Sequence, residues 1–301
     1  AADTYRLLAP FAEHEGKKVS TSWAQDARNR LSLNLELDLK IPEIKELFLG
    51  LVKESDILME NLVWLDKYGI NEEILFEANP KLVIVHVSGY GRPQFGGIPE
   101  VCDRDSDDMI GQATSGWMFL NGDKDRMPSI TKPWANDYQS AMVAVFGALA
   151  GYINAQKTGK GQSIDVAQFE SAARMLSDTF VSYLEANVTR GRTQASQADA
   201  FQPYGLFLDK NGDYVAIGAF GPGVYNRFIK AAGFDLEYFN FKDCAGGVAA
   251  VNSAKGQELR AKTVEWAASM TADEICTILG KAKVGCNKVY SAADAVKDPH
   301  W

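Results

Sequence analysis

Hydrophobic and polar positions along this chain switch between two periods. LSLNLEL (31–37) alternates apolar and polar residues and predicts a half-buried strand. After Pro42, which suits the first turn of a helix, IKELFLGLVKES repeats its apolar residues at helical spacing. ILMEN predicts a short strand, and NEEILFEAN a short helix with Asn71 as N-cap and acids in its first turn. KLVIVHVSGYG is continuous and β-branched, the pattern of a strand buried on both faces, and it runs into a glycine-rich turn. A long helix is predicted from Tyr138 to about Gln156, stopped by the cationic KTGKG. QSIDVAQF then predicts a strand, and ESAARMLSDTFVSYLEAN one long amphipathic helix. Residues 1–30 read as polar and irregular, and 92–108 as a polar loop.

This alternation predicts an α/β fold, a Rossmann-like large domain built on a parallel sheet. The texture changes after NVTRGRTQASQADAF, a small, polar stretch that is the best linker in the chain. YGLFLDKNGDYVAIGAF predicts a hairpin around Asn211-Gly212. VYNRFIKAAG, KGQELRAKTVEWAASM and TADEICTILGKA predict three helices. The expected organisation is a large domain over 1–190, a linker over 191–202 and a smaller α+β domain over 203–292.

Composition narrows the function more than the fold. With 301 residues, 46% of them hydrophobic, the chain is long enough for one large core or two moderate ones. A net charge of −8, a pI of about 5.1 and the lack of any Lys/Arg block argue against nucleic acid or an anionic membrane as partner. The longest apolar run, 141–153, is short of the roughly 20 residues a membrane span needs. With no signal-peptide pattern, a soluble cytoplasmic protein is expected. Four scattered cysteines and three histidines (His14, His86 and His300) form no ligand spacing, so neither a metal site nor a Cys–His nucleophile is expected. GYINAQKT has Gln156 where a P-loop needs its second glycine, and GYGRPQ lacks the third glycine of a dinucleotide fingerprint. A G-x-S-x-G elbow is absent.

Asp137, in KPWANDYQSAMVAVFGALAGY, is the candidate for chemistry. It falls where the long helix is predicted to begin. Its residue type favours an N-cap, worth on the order of 1 kcal/mol, and the same placement also permits a carboxylate held at a helix start and screened by Trp134 and Tyr138, a competent nucleophile toward an acyl carbonyl.

PKLVIVHVSGYG, QATSG, the Asp137 helix and KTGKGQSIDVAQFESAARM, in this order and spacing, resemble the class III coenzyme A transferases (CaiB/BaiF type), and among them the carnitine-type members. The resemblance runs from about residue 1 to 301. It implies transfer of coenzyme A from an acyl-CoA donor to a small carboxylic acid acceptor, carnitine or crotonobetaine being one such type. CoA would be a substrate, with no prosthetic group. The family's nucleophile is an aspartate matching Asp137, which forms an acyl–aspartyl anhydride and then an aspartyl–CoA thioester. Asp108, ahead of QATSG, matches a carboxylate used near the reacting thioester, and its plain reading is a loop aspartate.

DILMENLVWLDKYGI resembles a segment lying along the CoA. Asn61 matches its asparagine, Leu62 replaces a phenylalanine, and Lys67 stands where a phosphate-contacting arginine usually falls. Arg30 matches a basic position near the nucleotide. Tyr90 and Gly91 match the loop bordering the acyl site, where glycine allows close backbone approach. Phe169 matches a position packed against the CoA. Each of these has a plain structural alternative: surface charge for Arg30 and Lys67, core aromatic for Phe169.

Departures shape the expectation too. Related racemases carry a histidine where this chain has Asp107, which argues against proton exchange. ADAFQPYG replaces the glycine-rich loop of formyl-CoA transferases. The family match also implies segments before Ala1 and after KDPHW, so the chain resembles a form truncated at both ends, with 293–301 starting a return to the large domain. Family subunits interlock as homodimers. The alternatives to a transferase are an acyl-CoA racemase on the same scaffold and an inactive CoA-binding relative.

Overall fold

A computed structural model describes residues 3–62, 65–193 and 197–301. Val63 and Trp64, within the segment compared with the CoA-lining family segment, and residues 194–196 of the expected linker lie outside the described residues.

The first elements differ from expectation. Residues 1–30 are not irregular throughout: β1 (Phe11–His14) and β2 (Lys17–Ser20) form an antiparallel hairpin, followed by α1 (Thr21–Asp26). All four residues of β1 are exposed, so no buried face leaves a period in the sequence. Conversely, the alternating 31–37 stretch forms no strand. Leu31 and Leu33 are exposed and only Leu37 packs against a core cluster. Alternation makes a strand only where a neighbouring edge accepts its backbone hydrogen bonds.

From Pro42 onward the order is α2 (Pro42–Lys53), β3 (Ile57–Glu60), α3 (Glu72–Ala78) and β4 (Val83–Ser88). Asn71 caps α3 through the Ile74 N–H, as expected. The supposed loop 92–108 holds a 3-10 turn, Pro93–Phe95, and α4 (Pro99–Cys102), and its last residue opens α5 (Asp108–Thr114). Then come α6 (Trp117–Leu120), α7 (Ala135–Thr158) and β5 (Gln162–Ala167). The single helix expected beyond β5 is two, α8 (Gln168–Arg174) and α9 (Thr179–Ala186). Ser177 between them has φ 54°, which a right-handed helix cannot contain.

β3, β4 and β5 form a parallel sheet in that order. Adjacent residues of β4 point to opposite faces. Ile84 joins Val52, Ile70 and Leu75 from the α2/α3 side, whereas Val83 and Val85 join Ala144 and Ala148 of α7. Both faces are covered, which is why this strand reads as continuously apolar.

α7 comes close to the sheet because its buried stripe is small: Asn136, Ser140, Ala144, Ala148, Gly151 and Ala155. A Cβ added at Gly151 would lie 2.8 Å from Val83 Cγ1.

The second unit contains β6 (Tyr204–Leu208), β7 (Tyr214–Gly218), α10 (Pro222–Ala231), α11 (Phe241–Cys244), α12 (Val248–Val251), α13 (Ala254–Ala268), α14 (Ala272–Lys281), β8 (Gly285–Lys288) and α15 (Ala292–Lys297). The β6–β7 hairpin turns at Asn211-Gly212, and β8 pairs antiparallel with the other side of β7. Its core, including Phe207, Ile217, Phe228, Leu259 and Ile275, is a cluster separate from those of the parallel sheet.

Two glycines separate packing from propensity. Gly151→Leu is expected to lower unfolding stability by about 1–3 kcal/mol through overpacking against Val83. Gly50→Ala, at a point of α2 with nothing within 4 Å of an added Cβ, is expected to raise it by roughly 0.5–1 kcal/mol. Urea unfolding of both variants beside the parent protein measures each change.

Candidate active site

The carboxyl end of a parallel sheet is where α/β folds gather ligands. Asn61 follows β3, Tyr90 and Gly91 come just after β4, and Gln168 and Phe169 follow β5. A cavity of about 300 Å³ at this end is lined by Asn61, Lys67, Gly89, Arg104, Ser106 and Gln168, so Asn61 and Lys67 share one wall. Tyr90, Gly91 and Phe169 border a neighbouring cavity of about 400 Å³. The Tyr90 and Phe169 rings are 6.0 Å apart between centroids. Gly91 has φ +78°, and a Cβ there would meet Asp165 Oδ2 at 2.9 Å, so this turn accepts only glycine comfortably.

Leu62 is exposed and lines neither cavity; its N–H donates to Glu60 Oε2 at 2.6 Å. Arg30 is separate, bordering a third cavity with Tyr5, Trp23 and Asp26. Asp26 in turn accepts hydrogen bonds from the Tyr5 and Tyr138 hydroxyls, each at 3.0 Å, which ties this N-terminal segment to the first turn of α7.

The start of α7 differs from expectation in one respect that matters for chemistry. The helix begins at Ala135, so Asp137 is its third residue and not its cap. Trp134, at the cap position with φ 46° and ψ 41°, supplies no side-chain bond. The cap comes from a distant residue: Asp108 Oδ1 accepts the N–H groups of Asn136 at 2.8 Å and Asp137 at 3.2 Å. Asp108 is therefore not a loop aspartate but the first residue of α5, buried to 4% exposure.

The second oxygen of Asp108 accepts from Gln112 Nε2 at 2.7 Å. Gln112 also pairs with the backbone of Thr131 in both directions, each at 3.0 Å. These bonds tie α5, the backbone at Thr131 and the α7 start into one frame. Asp107, where the racemases carry histidine, caps α5 by accepting from the Ile110 N–H at 3.0 Å.

Relieved of capping, the Asp137 carboxylate faces a cavity of about 480 Å³ walled by Met109, Ile130, Pro133 and Trp134, with Lys132 at its border. Its Oδ1 accepts from Gln168 Nε2 at 2.6 Å. Its pKa is raised above the usual aspartate value. Partial desolvation is the main cause and the Asp108 charge adds to it; the Gln168 bond opposes, and Asp107 contributes a smaller upward push. Such a carboxylate is less solvated than one in open water and better placed as a nucleophile or base. Of the aromatic residues near it in sequence, Trp134 lines this cavity, while Trp117 Nε1 donates to Thr131 Oγ1 and Tyr138 reaches Asp26.

Beneath the site lies an ionic row that sequence reasoning did not single out. Glu60, His86 and Asp165 stand abreast on the three parallel strands. His86 Nδ1 is 2.5 Å from Glu60 Oε1 and its Nε2 is 3.1 Å from Glu72 Oε1. Arg92 bonds Glu60 through its guanidinium and Asp165 through its N–H. A histidine inside the apolar run VIVHVS was the available signal. Gln168 was missed as well, although it directly follows β5. Among the described residues no group of three or more His, Cys, Asp or Glu could hold a metal ion, and no helix is long and apolar enough to cross a membrane.

All of residues 1–301 match the family described as CoA-transferase family III. The chain belongs to that family. It is similar to the bile acid CoA-transferase BaiK of Clostridium scindens, with 35% identity over 93% of this chain and 63% of that protein. It is also similar to an L-carnitine CoA-transferase of Proteus mirabilis, at 29% identity over 94% of this chain and 70% of that protein. The chain thus spans about two thirds of the length of these relatives. Among solved structures, a CAIB/BAIF family protein from Brucella suis superposes with a TM-score of 0.79 at 24% identity, covering 99% of this chain and 76% of that one, a likeness of fold.

Removing the borrowed cap tests the frame. Asp108→Ala leaves two backbone donors and the Gln112 amide without their acceptor and is expected to cost about 1–3 kcal/mol in urea unfolding. The Asp137 charge gives a pH test. A carboxyl whose folded pKa lies above its unfolded one binds more protons folded, so it lowers stability as pH rises through that window and fully above it. Asp137→Asn is therefore expected to be more stable than the parent near neutrality. The gain should vanish below about pH 4, under the unfolded pKa, as read from urea midpoints at both pH values.

Proposed function

We propose that this chain carries the catalytic half-site of a coenzyme A transferase in which Asp137 is the nucleophile. The observation that carries the reading is a carboxylate of raised pKa that lines an apolar cavity and accepts a hydrogen bond from Gln168, which lines a polar one. The polar cavity, with Lys67, Arg104 and Asn61, is suited to the phosphates and polar groups of CoA. The apolar cavity is suited to an acyl group with a largely apolar body. Lys67 and Asn61 are assigned to CoA, Tyr90, Gly91 and Phe169 to its pantetheine–acyl region, and Asp108 to holding the nucleophile's helix.

Asp137 attacks the donor thioester carbonyl and expels the thiolate, giving an acyl–aspartyl anhydride. The thiolate then attacks the aspartyl carbonyl and releases the donor acid, leaving an aspartyl–CoA thioester. The acceptor carboxylate attacks that thioester and expels the thiolate, forming a second anhydride; the thiolate then attacks the acceptor's acyl carbonyl, giving the new acyl-CoA and freeing the Asp137 carboxylate. Splitting the transfer this way keeps the energy of the thioester within the enzyme at every stage. The acceptor is a small carboxylic acid, with Trp134 able to cover an apolar or trimethylammonium body. A cytoplasmic setting and an interlocked homodimer form part of the same reading.

A racemase would need a second base opposite Asp137. Asp107 is committed to capping α5, and none of the residues lining the apolar cavity is a histidine.

Intact-mass spectrometry after mixing with a panel of acyl-CoAs, with hydroxylamine or borohydride trapping, tests the proposal. A CoA-sized adduct mapped to Asp137 is expected, and Asp137→Ala should lose both adduct and transfer. Undiminished transfer by that variant would refute the assignment.

A further inference from the structure

We propose that Gln168 is the oxyanion donor for the aspartyl carbonyl, and that its hydrogen bond decides which oxygen of Asp137 reacts. The inference rests on the reading of Asp137 as nucleophile and extends it to a residue outside that assignment. Gln168 Nε2 lies 2.6 Å from Asp137 Oδ1. A carboxylate only accepts, so the amide must present its N–H there. The other end of the amide, Oε1, accepts from Ser106 Oγ at 3.4 Å, which favours the same orientation. Among the described residues Asp137 Oδ2 accepts no hydrogen bond, so it is the oxygen with free lone pairs. Gln168 opens α8 directly after β5, a rigid mounting, and lines the polar cavity while its partner lines the apolar one. It stands at the junction where a thioester would have to lie.

The chemistry follows from that asymmetry. Oδ2 attacks the donor carbonyl, the carbon–sulfur bond breaks, and the thiolate leaves with the electron pair; Oδ1 remains the aspartyl carbonyl oxygen. When the thiolate attacks Asp137 Cγ, the developing negative charge falls on Oδ1, where the Gln168 N–H already points. The Cγ–Oδ2 bond then breaks and the donor acid departs with Oδ2, leaving a Cγ–S thioester. Attack by the acceptor carboxylate on Cγ places charge on Oδ1 again before the thiolate leaves. The same donor thus serves every attack on Cγ, and no proton has to move.

Gln168→Met, close in size but without the donor, and Gln168→Glu test this by two readouts. Carbon-13 NMR of the Asp137 carboxyl, assigned with Asp137→Asn, needs no turnover. Both variants are expected to titrate at higher pH than the parent, because a bond to the charged form has gone. Rapid-quench trapping should show aspartyl–CoA thioester forming roughly 10²-fold more slowly in Gln168→Met, the usual cost of one oxyanion donor, with a smaller change in KM for the donor. An unmoved Asp137 titration, or a parent-like thioester rate in a variant, would overturn the role of Gln168 while leaving Asp137 as nucleophile intact. Absence of any Asp137 adduct in the parent protein would instead overturn the nucleophile reading, and the catalytic role of Gln168 with it.

Discussion

The start of α7 hangs on one buried carboxylate that belongs to another helix. A helix begins with N–H groups that lack internal partners, and a cap worth about 1 kcal/mol usually comes from the residue just before it. Here Trp134 occupies that place and offers nothing, so Asp108 reaches across from α5. The long helix below can then lie flat on the sheet because its inward stripe is nearly all Ala, Ser and Gly. Close packing sets its distance from β4 and β5, and the borrowed cap sets where its first turn ends up.

That division of labour explains how a carboxylate in the first turn stays available for chemistry. If Asp137 capped its own helix, its oxygens would be taken up by backbone N–H groups and its charge well stabilised. With Asp108 in that role, Asp137 keeps one oxygen free, and the nearby negative charge makes its ionised form costlier. The dipole of α7 works the other way and favours negative charge there, by an amount of 0.3–1 kcal/mol in typical exposed settings. The carboxylates deeper in the sheet differ from it and from each other: Glu60 meets both Arg92 and His86, whereas Asp165 accepts, among the described residues, only the Arg92 backbone N–H and burial raises its pKa as well. The Glu60 pairs tie β3, β4 and the turn after β4 together, and Asp137 sits at the surface of a cavity.

The cavities described all draw on residues up to Glu170, whereas the core of the second unit is built from Phe207 onward. The parallel sheet and its loops therefore hold the apolar cavity that Asp137 lines and the polar one lined by its partner Gln168. The relatives act on chemically diverse acids, as their names state for bile acid and carnitine. Diversity of that kind is what a fixed nucleophile with a replaceable apolar wall would allow.

Much of this was legible in the residues in order. The buried β4, the small-residue α7, the hairpin at Asn211-Gly212 and Asp137 itself all follow from local pattern, because burial on two faces, close packing and turn geometry each leave a mark within a few positions. LSLNLEL shows the limit: its alternation is real, but without an edge to pair with it stays irregular, while the exposed β1 forms a strand with no alternation at all. The site has the same division. Local pattern pointed to Asp137 and the family resemblance to Asp108, yet which of the two caps and which is free depended on a contact across 28 positions of chain. The bond from Gln168 spans 31. Local sequence determines which groups exist and which segments can become helix or strand. Which carboxylate meets which donor is decided only when the chain has packed, because hydrogen bonds and desolvation depend on distance in space.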